Sequence, residues 1–99
     1  MPFDMTAVLF VADQDKYAQY RAEIAPLLEA TGGAFRYDFE VAKALKSEVG
    51  HDINRVFILR FPDREAKEWF FTHSQYLEIR ARLFDAAVRR MTIIAEHAA

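Results

Sequence analysis

The chain has 99 residues, the size of one ordinary domain and well short of two. Thirteen basic against fifteen acidic residues leave a net charge of -2, which removes the positive field that nucleic-acid and anionic-membrane binding draw on. No cysteine is present, which excludes disulfides, thiolate nucleophiles, iron–sulfur clusters and cysteine-ligated zinc.

The opening Met-Pro-Phe-Asp-Met carries an acid ahead of the first apolar run, and no small-residue cleavage site follows, so the protein is expected in the cytoplasm. Thr6–Ala12 (TAVLFVA) is rich in β-branched and aromatic residues and ends at Asp13-Gln14-Asp15, which predicts a strand running into a helix capped by Asp13 or Asp15. The run is far too short for a membrane span, which takes about 20 residues. Tyr17, Tyr20, Ile24, Leu27 and Leu28 then recur at helical spacing. Pro26 predicts a kink or loosened turn, because its nitrogen cannot donate to the Ala22 carbonyl. Gly32-Gly33 ends the helix, since glycine takes the left-handed cap conformation without steric cost.

Ala34–Val41 alternates, with Phe35, Tyr37, Phe39 and Val41 on one side and Arg36, Asp38 and Glu40 on the other, the pattern of a second strand. Ser47–Asn54 (SEVGHDIN) collects turn residues and reads as the loop of a long hairpin. Arg55–Phe61 (RVFILRF) is the third strand, closed by Pro62. Asp63 fits an N-cap for a second helix through Ala66, Trp69 and Phe70. The pattern hesitates at Thr72-His73-Ser74-Gln75, where Thr72 and Gln75 fit a capping box or Ser74 caps a restart. Tyr76, Leu77, Arg80, Leu83, Phe84 and Ala87 carry a second apolar stripe, so a broken helix is expected. Met91–Ala95 (MTIIA) reads as a short fourth strand and Glu96–Ala99 as a frayed tail.

Strand, helix, strand, strand, helix, strand, with right-handed crossovers, is the α+β ferredoxin-like order, one domain over residues 1–99 with both helices on one face of an antiparallel sheet. The other face would be polar if it met water. Instead, Thr6, Val8 and Phe10 alternate with Ala7, Leu9 and Val11, and Phe57, Leu59 and Phe61 alternate with Val56 and Ile58. Strands apolar on both faces are covered on both. With 53% hydrophobic residues and only two helices, a second copy is the economical cover, a homodimer with two sheets facing each other.

Several features carry a family resemblance: Tyr17 and Tyr20, Ala25-Pro26, Gly32-Gly33 before Phe35, Phe61-Pro62, Ala66, and Phe70 ahead of Ser74 and Tyr76. In their order and spacing the chain resembles the family of unknown function 1330. That family lies within the dimeric α/β-barrel superfamily, with antibiotic-biosynthesis monooxygenases and muconolactone isomerase. The resemblance implies a homodimer closing into a barrel.

Arg36, Asp38 and Glu40 share one face of the second strand, and Arg60 can share it from the third. Facing a partner, they would line a cavity between the sheets, where arginine binds a small anionic or carbonyl ligand and a carboxylate shuttles a proton. The plainer reading is a salt-bridge set that fixes dimer register. His51-Asp52 with Asn54 is the densest polar cluster, on a loop placed to close over a ligand at the barrel mouth, or simply a set of turn hydrogen bonds. Ser74 beside His73 is better explained as a helix cap than as a nucleophile, because no G-x-S-x-G elbow exposes it. His51, His73 and His97 lack metal-ligand spacing, and no cofactor is implied. Phe57 and Phe61 lack the glycines and basic residues of an RNA-binding strand. Two functions remain. One is a small-molecule-binding protein, an enzyme of the cofactor-independent monooxygenase or isomerase kind, and the other is a non-catalytic ligand-binding or assembly module whose strand charges set dimer pairing.

Overall fold

In the computed structural model, which describes residues 1–98, the first apolar run forms β1 (Phe3–Val11) and so begins at Phe3 rather than Thr6. The Asp13 carboxylate then accepts a hydrogen bond from the Lys16 N–H at 3.0 Å, which makes Asp13 rather than Asp15 the cap of α1 (Gln14–Ala30). The helix passes through Pro26 without ending and buries Tyr17, Tyr20, Ile24, Leu27 and Leu28, as their spacing predicts. At its end Gly32 takes φ +81°, and the N–H groups of Gly32 and Gly33 bond the carbonyls of Glu29 and Leu28 at 2.9 and 3.1 Å. A Cβ on Gly32 would also sit 2.9 Å from Cγ of Pro62. Gly32→Ala is therefore expected to cost at least about 1–2 kcal/mol, the left-handed penalty alone, read as a lower urea midpoint with an unchanged m value.

β2 (Ala34–Glu40), β3 (Arg55–Phe61) and β4 (Val88–Ala98) join β1 in one antiparallel sheet of order β2-β3-β1-β4. The two central strands are those apolar on both faces. After β3, the Asp63 carboxylate caps α2 (Arg64–Thr72) by accepting from the Ala66 N–H at 2.8 Å. The break that follows is capped by neither Ser74 nor a Thr72–Gln75 box. His73 does it, its Nδ1 accepting from the Gln75 N–H at 3.1 Å, because its extended backbone turns the ring onto the free amides of α3 (Ser74–Ile79). α3 runs on into a π-helical turn, Arg80–Phe84, and a last α-helical turn, Asp85–Ala87.

β4 continues to Ala98, so Glu96–Ala98 are strand rather than frayed tail. Pairing to Phe3, Asp4 and Met5 and the 2.8 Å Lys67–Glu96 bridge hold them, and Ala99 lies outside the described residues. The alternation of β2 is also broken. A bulge between Phe35 and Tyr37 pairs Phe35 with Leu59 but Tyr37 with the adjacent Ile58, which turns the two aromatic side chains to opposite faces.

Both helical segments cover the face carrying Met5, Ala7, Leu9, Val11, Phe57 and Leu59, and the core lies between them. Among the described residues no helix covers the other face. Tyr37, Phe39 and Ile94 stand there 45%, 53% and 54% exposed, beside half-buried Phe10, Val56 and Ile58. Part of the 41–54 loop crosses this face, with Val49 and Ile53 beside Val8 and Ile94. Among the described residues no helix is long and apolar enough to cross a membrane.

Candidate functional site

The helix-covered face is not filled to the edge of the sheet. A cavity of about 220 Å³ opens between β1, β3, β4 and the helices, floored by Met5, Phe57, Leu59 and Met91 and roofed by Ile24, Phe71 and Phe84. The irregular parts of the helical layer border it. Phe71 and Tyr76 flank the His73 break, and Arg80 and Phe84 are the two ends of the π-helical turn, a geometry often found at functional sites.

Two phenols line this space. The hydroxyls of Tyr20 and Tyr76 lie 3.0 Å apart, and the rings are 4% and 3% exposed. Burial pushes both phenols above their ordinary range, so both are neutral O–H groups rather than phenolates at physiological pH. At the rim, Lys67 is tied to Glu96 at 2.8 Å, whereas Arg80 faces Asp85 at 3.6 Å, beyond hydrogen-bond length. The described lining holds no carboxylate or imidazole. The space therefore suits an apolar body with a polar end, and its own groups can give a proton or a positive charge.

The predicted site residues are divided by the β2 bulge. Arg36 and Arg60 come together on the uncovered face, both on Asp4. Arg60 donates through Nε and Nη2 at 2.8 and 3.0 Å, and Arg36 donates through Nη1 at 3.0 Å. Asp38 and Glu40 turn instead to the helix side, where Asp38 meets Arg21 at 2.9 Å and Arg55 at 3.2 Å, and Glu40 meets Arg55 at 3.6 Å. The four do not line one cavity within a subunit, because one extra residue at the bulge inverts every side chain after it.

The loop cluster stays together but apart from the helix–sheet cavity: His51, Asp52 and Asn54 border a separate cleft beside Phe10 and Ala42. Asn54 pairs with β1 like a strand residue: its amide accepts from the Val11 N–H at 2.8 Å and donates to the Val11 carbonyl at 2.9 Å. His51 bonds Thr92 Oγ1 through Nε2 at 2.8 Å, and Asp52 is exposed with its carbonyl 2.8 Å from His51 Nδ1. None of the three borders the helix–sheet cavity. Tyr17 and Tyr20 are both core residues, as their stripe predicts, and Tyr17 lies under the Arg55 guanidinium at 4.5 Å. No group of three or more His, Asp or Glu among the described residues is placed to hold a metal.

Sequence reasoning missed Asp4 and the phenol pair. Asp4 could have been found from parity, since it shares the uncovered face with Thr6 and Val8 and pairs with Arg60 once β1 and β3 are in register. The Tyr20–Tyr76 contact joins residues 56 apart and has no local signal.

Strand order β2-β3-β1-β4 with one helix-covered face defines an α+β domain of the ferredoxin-like kind. The chain belongs to the family described as a domain of unknown function, DUF1330, whose model matches residues 5–97. A solved protein of unknown function from Rhodopseudomonas palustris superposes with a TM-score of 0.81 at 20% identity, over 97% of this chain and 80% of that one. A DABB family protein with a ferredoxin-like fold from Mesorhizobium loti gives 0.69 at 14% identity, over 99% and 96%. A dimeric ferredoxin-like protein of unknown function from Jannaschia sp. gives 0.68 at 11% identity, over all of both chains. No curated protein matches.

Proposed function

We propose that this protein is a homodimer that binds a small organic molecule in the helix–sheet cavity of each subunit. The cavity carries the reading: about 220 Å³ of mostly apolar space with two buried phenols. The dimer rests on the bare sheet face and on the dimeric state of structural neighbours. The proposed site lies under the helices, while Arg36 and Arg60 lie on the opposite face of the sheet. An enzyme of the cofactor-independent monooxygenase or isomerase kind fits this lining as a water-excluding pocket with a phenol proton donor.

A second reading has its own observation. Asp4, Arg36 and Arg60 lie on the face that a sheet-to-sheet dimer buries, so this cluster would set how two copies register.

Native mass spectrometry of the purified protein tests the first reading. A dimer retaining a constant added mass is expected. Ile93 borders the cavity on β4 and is 43% exposed, so Ile93→Trp narrows the mouth without touching the core. The retained mass should fall at least ten-fold in Ile93→Trp while the dimer persists; full retention in that variant places the ligand elsewhere.

A further inference from the structure

The phenol pair has a proton to spare. Two hydroxyls bring two O–H protons, the single bond between them uses one, and neither hydroxyl has another hydrogen-bond partner among the described residues. The pair is buried and borders the cavity, where the second proton has no protein acceptor. Arg80 lines the same cavity as the two hydroxyls, and its charge favours their ionisation against the effect of burial. Its own partner is loose: Asp85 is 3.6 Å away and mostly exposed. Lys67, the other cation of the lining, is already held by Glu96 at 2.8 Å. A positive charge with free donors beside a free O–H is the recognition chemistry of a carboxylate.

The walls specify the remainder of the ligand. Phe57, Phe71, Tyr76 and Phe84 offer ring faces and edges, and Met5 and Met91 offer polarisable thioethers that adapt to a flat guest. An apolar protein cavity of about 150 Å³ takes up benzene. One of about 220 Å³ has room for a substituted or fused ring. Building on the cavity reading above, we infer that the ligand is a small aromatic carboxylic acid, its rings between the sheet and helices and its carboxylate held by Arg80 and the free proton of the Tyr20–Tyr76 pair.

The test uses 1-naphthoate and its neutral isostere 1-naphthamide, titrated calorimetrically into the dimer and followed by the methyl signals of labelled methionines. The three methionines are well placed for this: Met5 and Met91 border the cavity, and Met1 is 84% exposed and serves as control. 1-Naphthoate is expected to shift Met5 and Met91 but not Met1, and to bind at least ten-fold tighter than the amide. Arg80→Gln should abolish that preference. Tyr20→Phe/Tyr76→Phe, which removes both hydroxyls together and strands neither, should weaken 1-naphthoate several-fold with the fold intact. Equal affinity for the two probes, with Met5 and Met91 shifted, overturns the acid and keeps the cavity. Silence at Met5 and Met91 with both probes overturns the cavity reading as well.

Discussion

Ile58→Asp is expected to abolish the homodimer proposed above, raising its dissociation constant at least a hundred-fold. Ile58 is at the centre of the uncovered face, opposite Thr6 of β1 and Tyr37 of β2, so no arrangement that buries this face can leave it in water. The cations of this face, Arg36 and Arg60, are already held by Asp4, so a carboxylate at position 58 must be desolvated without a free partner or must keep the sheets apart, and either outcome exceeds the roughly 2.7 kcal/mol that a hundred-fold change represents. The helix-side core is untouched, so the far-ultraviolet spectrum should keep its shape. Sedimentation velocity reads the result. Leu77→Asp is the control, because Leu77 is 46% exposed on the other apolar surface, the outside of α3. A dimer that survives Ile58→Asp and fails with Leu77→Asp would move the interface to the helices and remove the argument from two apolar faces.

Strand and helix order, the Asp13 and Asp63 caps and the glycine stop are local, and residues such as Asp63 and Gly32 announce them within a few positions. The bareness of one sheet face was legible too, because Val56 and Ile58 share a strand with Phe57 and Leu59 and cannot all point inward. The site was not legible, for two physical reasons. Pairing register decides which side chains share a face, and the bulge at Arg36 has no marker such as glycine or proline, so Arg36–Asp38–Glu40 looks continuous in sequence and is divided in space. Likewise, a cavity is what packing leaves unfilled between Ile24, Leu59 and Phe84, which depends on how distant segments meet. Asn54 shows the same limit from the other side: a turn-forming residue in sequence, it becomes in space a substitute rung for the end of β1.

Asp4→Asn separates the two readings of the charge cluster. Asp4 is only 3% exposed and receives three hydrogen bonds from two guanidiniums, so its loss leaves two arginines with no common anion. Breaking a fully buried pair costs about 3–5 kcal/mol. Here the Arg36 and Arg60 side chains are each 37% exposed and recover water, so about 2 kcal/mol is expected at pH 7. The pH dependence has a definite sign. The hydrogen bond from Arg60 foremost, then the charge of Arg60 and the hydrogen bond and charge of Arg36, outweigh burial and hold the Asp4 carboxyl below its ordinary range. A carboxyl depressed in the folded state contributes stability above its unfolded pKa of about 3.9, and that contribution fades as pH falls through this value toward the folded one. The advantage of the wild type over Asp4→Asn should therefore hold from neutral pH down toward about pH 3.9 and shrink below it, and a gap that stays constant through that range would exclude the ion pairs as its source. The same substitution made in the Ile58→Asp monomer then decides what the cluster is for. If Asp4 ties β1, β2 and β3 together within a subunit, the cost at pH 7 persists in the monomer. If it sets how two sheets meet, the monomer does not feel the change, and the cost appears only as a weaker dimer.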